Sequence, residues 1–279
     1  MSARGPVERV GVLRWGEGGP ERRRDRVATE EPLEIRLTGG RRDAGAPWTV
    51  SVTMRTPGHD FELAAGFLFA EGIVERRQAV VQVRHCAGVG RAAPNVVEVR
   101  LCADAMVDER LLLRNVYMSS SCGVCGKASL DAVERRGCSR LEDEARLAGA
   151  LVPVLPDRLR RAQGVFERTG GLHGAGLFDL EGALVLARED VGRHNAVDKV
   201  VGEAFLRGGL PLDARVLVVS GRASFEIVQK ALAAGLPILV AVGAPSSLAV
   251  DLARRFNLTL IGFARDGRFN VYAGEGRIV

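Results

Sequence analysis

The chain has few lysines, few aromatic residues and no long hydrophobic run. It holds 39 basic residues among 279, but only Lys127, Lys199 and Lys230 are lysines, and aromatic residues make up 5%. The arginines are scattered and interleaved with Asp and Glu, and few aromatic side chains are present to stack on bases. The net charge of +5 therefore does not indicate a nucleic-acid-binding module, and we expect no nucleic-acid partner.

Signals for export and for membrane insertion are also lacking. The first fifteen residues, MSARGPVERVGVLRW, show no continuous apolar run followed by a small-residue cleavage site. The longest apolar stretch, residues 231–244, is interrupted by Gly235 and Pro237 and is shorter than the roughly 20 residues of a membrane span. We expect a soluble cytoplasmic protein without a membrane partner.

Cysteine is scarce as well, with five residues at irregular spacing, which excludes a secreted disulfide framework and makes free thiols the expected state. Two of the five form a CxxC motif, Cys122 and Cys125, in the segment SSSCGVCGKASL. A helix is predicted from residue 128, so Cys125 precedes a helix N-terminus with Lys127 nearby. Both features favour the thiolate, which can attack a sulfur donor and hold a persulfide. We predict Cys122 and Cys125 as catalytic residues.

Other roles for the pair fit less well. A structural zinc site needs four ligands, and the remaining candidates offer no second pair at finger-like spacing: His85, Cys86, Cys102 and Cys138. A zinc deaminase would show H-x-E and P-C-x-x-C, but residue 121 is Ser and no His is followed by Glu two positions later. We therefore predict no metal ligands. A thioredoxin-like redox pair and two inert cysteines stay open as alternatives.

Three regions differ in pattern. Residues 1–32 are rich in Gly, Arg and Glu and are predicted to be a flexible segment with room for one short strand at residues 10–15. Residues 33–118 alternate polar and apolar positions in LEIRL, TVSVTMR, VVQVRHC and NVVEVRL, with one helical pattern in DFELAAGFLFAEG. That combination predicts a small α+β domain.

Residues 119–279 alternate helical patterns with the apolar runs RVLVV, PILVAV and LTLIGF. Strands that alternate with helices over short links predict an α/β domain with a parallel, helix-covered sheet. Ligands bind such sheets at the carboxyl ends of the strands. We therefore expect the turns at Ser220, Gly243 and Ala264 to lie along one edge, which the CxxC loop can join.

Two further segments carry candidate binding residues. In EDVGRHNAVDKVVG, helix capping by Asn195 and solvation of Asp198 would explain those two residues, but not a His beside an Arg after a Gly, so we predict a binding role for His194. In FARDGRFN, Arg265 and Arg268 beside a glycine suit a phosphorylated or purine-containing ligand, although a plain β-hairpin turn explains the composition equally well.

The motifs, taken in order, resemble one family. They are SSSCGVCGKASL, TGGLHGAG, EDVGRHNAVDKVVG, SGRASFEIVQKA, GAPSSLAVDLA and GFARDGRFNVY. From residue 33 to residue 272 the chain resembles the FdhD family, sulfurtransferases required for active formate dehydrogenase.

The resemblance implies a function and a site. Such proteins take sulfur from a cysteine desulfurase and pass it to a bound substrate, the molybdenum cofactor Mo-bis(molybdopterin guanine dinucleotide), before its insertion into formate dehydrogenase. By position, Cys122 would carry the persulfide and Cys125 would assist. The residues that would contact the guanine nucleotide part are Phe263, Ala264, Arg265, Asp266, Gly267 and Arg268.

The resemblance also implies a fold and an assembly. The expected architecture is a cytidine deaminase-like α/β sheet with flanking helices, residues 119–279, preceded by the smaller α+β domain, residues 33–118. The resemblance further implies a homodimer. A non-catalytic cofactor-binding chaperone and a thiol redox protein remain the alternative functions.

Overall fold

The computed structural model describes residues 5–41, 47–88, 91–108, 138–142 and 144–279. The CxxC segment at residues 119–130, with the predicted catalytic residues Cys122 and Cys125, lies outside the described residues. Within the described part, no helix is both long enough and apolar enough to cross a membrane.

The chain begins with an antiparallel hairpin of two ten-residue strands, β1 (Val7–Gly16) and β2 (Gly19–Ala28). The N–H of Thr29 donates to the carbonyl of Pro6 at 3.0 Å and closes its base. The prediction of a flexible segment with one short strand does not match these two strands. Both faces of the hairpin are solvent-exposed over most of its length, so its sequence needs no apolar alternation, and only residues 10–15 gave a strand signal.

A four-stranded sheet follows, with the strand order β4–β3–β6–β5. Its strands are β3 (Glu31–Thr38), β4 (Trp48–Arg55), β5 (Val80–Gly88) and β6 (Arg91–Leu101). Strands β3 and β6 are parallel and the other pairs are antiparallel. Helix α1 (Asp60–Ala70) shares an apolar core with this sheet, in which Leu33, Ile35 and Leu63 are almost fully buried. The predicted strands and helix of this region are confirmed.

The larger sheet has six strands in the order β12–β11–β10–β9–β7–β8. They are β7 (His173–Phe178), β8 (Leu184–Asp190), β9 (Val216–Val219), β10 (Ile238–Ala241), β11 (Thr259–Arg265) and β12 (Arg268–Ala273). Strands β9, β10 and β11 run parallel, as their alternation with helices predicts. The outer strands are not part of this parallel arrangement: β7 is antiparallel to β9 and to β8, and β12 is antiparallel to β11.

Helices cover both faces of this sheet. Three of them share the larger core: α4 (Arg193–Leu206), α5 (Phe225–Ala233) and α6 (Ser247–Arg255). A 3₁₀ turn (Gly149–Val154) and α2 (Leu155–Ala162) pack on the other face, and the short α3 (Gly164–Thr169) follows. Every residue of β9 and of β10 is buried, which explains why both strands read as unbroken apolar runs. The mixed α/β class is confirmed.

Helices α1 and α4 cross with their backbones in contact. A Cβ atom added to Gly66 would overlap the carbonyl oxygen of Asp198, and one added to Gly202 would overlap that of Glu62. Beside the crossing, the Arg188 guanidinium donates from Nη2 to the Glu62 carboxylate at 2.8 Å. Burial alone would raise the pKa of Glu62, but the hydrogen bonds and positive charges of Arg188 and His59 together outweigh burial, and the pKa is lowered to about 2.

A buried ion pair also joins the two sheets. The Nζ of Lys199 lies 2.7 Å from the carboxylate of Asp190, and both side chains are 1% exposed or less. Asp190 accepts further hydrogen bonds from the N–H groups of Thr56 and Gly192 and from the amide of Asn195. The N-cap of α4 is Gly192 and not Asn195, so the capping prediction for Asn195 is wrong.

We expect Gly202→Ala to destabilise the fold, because its methyl group would have to push α1 and α4 apart. Overpacking of this kind costs about 1–3 kcal/mol, occasionally more. Gly164→Ala is the matched control, since a Cβ at Gly164 meets no atom within 4 Å. Urea denaturation followed by circular dichroism measures both variants. Equal unfolding midpoints for the two would contradict the close crossing.

Candidate functional site

A cavity of about 680 Å³ opens at the carboxyl ends of the central strands. Its wall includes Ser220, which follows β9, Val242, which follows β10, and residues 264–267 at the end of β11. The turns are hydrogen-bonded side by side: the N–H of Gly243 donates to Gly221 at 2.9 Å, and that of Phe263 donates to Gly243 at 3.2 Å. The prediction that the three turns share one edge is therefore confirmed.

The segment 263–268 is a hairpin turn and also part of the cavity wall. Arg265 pairs with Arg268 across the turn, and Asp266 and Gly267 have φ values of 53° and 73°. Ala264, Arg265, Asp266 and Gly267 line the cavity, and the Arg265 side chain is 55% exposed. Phe263 and Arg268 are not among the lining residues. The segment is thus a hairpin turn, and four of its residues also line a cavity in which a ligand could bind.

His194 lies in a different set of contacts. Its Nε2 is 3.1 Å from the Ser224 hydroxyl and its Nδ1 is 3.3 Å from the Glu226 carboxylate. Burial, followed by the charges of Arg193 and Lys230, lowers the pKa of His194 to about 3. The neutral ring that fits both contacts donates from Nδ1 to Glu226 and accepts the Ser224 hydroxyl proton at Nε2.

His173, and not His194, lines the cavity. Burial and the nearby Arg193 lower the pKa of His173 as well. The charge of His173 also contributes to the lowered pKa of His194, so the two rings are electrostatically coupled. His194 therefore lies next to residues that line the cavity but does not line the cavity itself.

Two serines at helix N-termini behave differently. Ser246 caps α6, because its hydroxyl accepts from the N–H of Ala249 at 3.3 Å. Ser224 is the N-cap residue of α5 but makes no capping hydrogen bond, and its hydroxyl contacts His194 instead.

The sequence pattern did not predict that α2 and α3 form part of the cavity wall. Arg160, Gln163 and Phe166 line the cavity there, with the Arg160 guanidinium 4.3 Å from the Phe166 ring centroid. Gln163 is 2% exposed, and its Nε2 has no hydrogen-bond partner among the described residues. The one local feature of the sequence that could have indicated this wall is the pair of neighbouring glycines, Gly170 and Gly171. Within the described ranges, no group of three or more His, Cys, Asp or Glu side chains could hold a metal ion.

The model of the FdhD/NarQ family matches residues 28–279 of this chain. The chain belongs to the FdhD/NarQ family. The resemblance inferred from the motifs is confirmed, and it extends to the C-terminal residue. The match begins at the last residue of β2, so almost all of the N-terminal hairpin precedes it.

Named FdhD/NarQ relatives match nearly the whole chain. The sulfur carrier protein FdhD of Streptomyces avermitilis is 54% identical over 277 residues, which cover 98% of this chain and 95% of the relative. The protein of the same name from Mycobacterium tuberculosis is 51% identical over 265 residues, 92% of each chain. A crystal structure of a formate dehydrogenase accessory protein from Desulfotalea psychrophila has a TM-score of 0.75 at 26% identity and covers 98% of this chain and 99% of its own.

We expect His194 to stay neutral throughout the physiological pH range. Its pKa of about 3 lies below the ordinary value of 6.5, so on acidification the unfolded chain takes up this proton first. The stability that the neutral ring contributes is therefore complete above about pH 6.5 and is lost as pH falls towards 3. Proton NMR titration, with the ring resonance assigned through His194→Gln, measures the pKa. A midpoint near 6.5 would contradict the buried neutral ring.

Proposed function

We propose that this protein is a sulfur carrier that receives sulfur as a persulfide on Cys122 from a cysteine desulfurase and passes it to the molybdenum cofactor for formate dehydrogenase. Family membership supports the sulfur-carrier role, since the relatives named above are sulfur carrier proteins and the similar crystal structure is that of a formate dehydrogenase accessory protein. The structural observation that carries the proposal is the cavity whose wall contains residues 264–267, the segment assigned to the guanine nucleotide by resemblance.

The cavity fits one nucleotide end of this substrate. Pockets of about 300–1,000 Å³ suit ligands of that size, and 680 Å³ lies within the range. Arg160 and Arg265 line the wall, where they pair with the exposed carboxylates of Glu167 and Asp266 at 3.1 and 4.0 Å, and phosphate oxygens can replace these carboxylates as acceptors. The complete cofactor carries two guanine nucleotides, so the molybdenum centre would extend out of the cavity. There it can meet a sulfur-bearing side chain.

The two cysteines have complementary chemical roles under this proposal. The Cys122 thiolate attacks the terminal sulfur of the desulfurase persulfide, and the desulfurase cysteine leaves as a thiolate, so one sulfur atom moves without net oxidation. Attack of the Cys125 thiolate on the inner sulfur of the Cys122 persulfide then forms a Cys122–Cys125 disulfide and releases HS⁻. The transferred sulfur leaves as sulfide, and the cysteine pair is left two electrons more oxidised than the dithiol until external thiols reduce the disulfide.

The proposal extends to the organisation of the protein. We place the domain boundary between residues 33–118 and 119–279, with the six-stranded sheet as the cytidine deaminase-like unit. We also propose that the protein acts in the cytoplasm as a homodimer.

We expect Cys122→Ala to abolish persulfide loading. Incubation of the full chain with a cysteine desulfurase and cysteine should add about 32 Da, one sulfur atom, by intact-mass spectrometry. Cys125→Ala is the matched control and should still load, because Cys125 acts after the persulfide has formed. Loading of Cys122→Ala at the wild-type rate would refute the assignment.

A cellular assay separates the carrier from the non-catalytic chaperone. In cells that lack the endogenous protein, Cys122→Ala should fail to restore formate dehydrogenase activity. Full restoration by this variant would instead favour a chaperone that only binds and delivers the cofactor.

We expect Gln163→Leu to weaken binding of GDP, used as a probe for the guanine nucleotide. Gln163 lines the cavity, and its buried Nε2, which has no hydrogen-bond partner among the described residues, can donate to a purine acceptor once the amide rotates towards the cavity. Loss of one hydrogen bond worth about 1–1.5 kcal/mol corresponds to a roughly 5–12-fold higher Kd by calorimetry. The exposed Gln82 gives the control variant Gln82→Leu, which should bind GDP like the wild type. Unchanged affinity of Gln163→Leu would exclude contact with the nucleotide.

A further inference from the structure

The N-terminal hairpin presents two faces of different charge. Opposite residues of an antiparallel pair place their side chains on the same face, and the faces alternate along each strand. One face, here called the arginine face, contains Arg9 opposite Arg26, Leu13 opposite Arg22, Trp15 opposite Pro20, and Arg24. The other, here called the balanced face, contains Glu8, Arg14, Glu21, Arg23 and Asp25. The arginine face therefore carries four guanidinium groups and no carboxylate.

The arginine face is unfavourable while it remains uncovered. Arg9 lies directly opposite Arg26, and like charges in that position destabilise a strand pair. All four arginines are exposed, and their guanidinium groups form no hydrogen bond or ion pair with any residue that the structure describes. A two-stranded hairpin is by itself marginally stable in water. An acidic surface laid against this face would neutralise the repulsion.

Two apolar side chains of the same face are exposed. Trp15 is 73% exposed and Leu13 is 56% exposed. Trp and Arg are the residue types that most often dominate the binding energy of protein interfaces. The composition of the arginine face is thus that of an interface whose partner supplies carboxylates.

The base of this face lies at the rim of the cavity. Ala28 lies opposite Val7 on the same face, and its Cβ is 3.5 Å from the position of a Cβ on Gly171, which lines the cavity. From that point, strands of ten residues extend roughly 33 Å. A protein that collects cargo from the cavity would meet the arginine face as it approaches the rim.

The balanced face argues against a nucleic acid in this position. A two-stranded ribbon that enters the major groove of DNA has the phosphate backbones on both sides. The carboxylates of Glu8, Glu21 and Asp25 would then face phosphates and be repelled. An acidic protein surface covers one face and leaves the other in water, which fits the asymmetry of charge.

We propose that the arginine face of the hairpin docks an acidic surface of the enzyme that receives the cofactor, which is apo-formate dehydrogenase, and this inference rests on the proposed function. The hairpin almost entirely precedes the region that defines the family, so it can select a partner without altering the cavity. Opposite charges across the interface raise the association rate and make it sensitive to salt.

The test compares two full-length double variants that change net charge equally. Arg24→Glu/Arg26→Glu alters the arginine face, and Arg14→Glu/Arg23→Glu alters the balanced face of the same hairpin. Binding to immobilised apo-formate dehydrogenase is measured by biolayer interferometry at several salt concentrations. We expect the arginine-face variant to bind at least about tenfold more weakly, mainly through a slower association rate, and the balanced-face variant to change less than about threefold.

Each outcome separates the inference from the function on which it rests. Equal weakening by both variants overturns the arginine face as the docking surface, while persulfide loading of Cys122 and GDP binding by the same variants would leave the proposed function intact. Absence of wild-type binding to apo-formate dehydrogenase overturns the choice of partner. Tighter binding of a DNA duplex, lost in Arg24→Glu/Arg26→Glu alone, overturns the choice of an acidic protein.

Discussion

The buried ion pair of Asp190 and Lys199 connects the four-stranded sheet to the six-stranded sheet. A buried charge without its partner is strongly destabilising, so the pair holds together every element that supplies one of its hydrogen bonds. Lys199 donates to the carbonyl of Thr56 at 3.0 Å and to that of Glu189 at 3.2 Å, and Asp190 accepts from the N–H of Thr56. The end of β4, the end of β8 and the start of α4 are thereby fixed. His194 sits on the first turn of that helix, so its contacts with α5 depend on the same pair.

Two of the three lysines, Lys199 and Lys230, occupy buried positions. Lys230, like Lys199, is buried, and its Nζ lies 2.8 Å from the carboxylate of Asp198. Burial alone would lower the pKa of Lys230, but the carboxylates of Asp198, Glu226 and Glu71 together outweigh it and raise that pKa. Asp198 is consequently not the solvated charge that its sequence context suggested. At these two sites a compact ammonium group forms the ion pair, whereas the planar guanidinium groups of Arg55 and Arg277 occupy other buried positions.

Parts of the fold governed by local periodicity could be predicted, and parts governed by tertiary contact could not. The apolar runs of β9 and β10 indicated a sheet covered on both faces, which in turn placed the turns at Ser220 and Gly243 together. The wall that includes Gln163 had no such signal, because α2 and α3 reach the cavity only through packing across the sheet. The capping role assigned to Asn195 failed since its amide instead donates to Met54 at 2.8 Å, on β4. Cys122 and Cys125 remain predictions from sequence and family.

The crossing of α1 and α4 constrains how cargo can enter and leave. Helices separated by side chains can slide over one another through small rotamer changes, as in shear motions between packed layers. At Gly66 and Gly202 the two backbones touch, so no side chain is available to absorb such a displacement. The four-stranded and six-stranded sheets are therefore expected to move as one block. Widening of the cavity mouth then depends on the strand-end turns and on α3, without a hinge between the sheets.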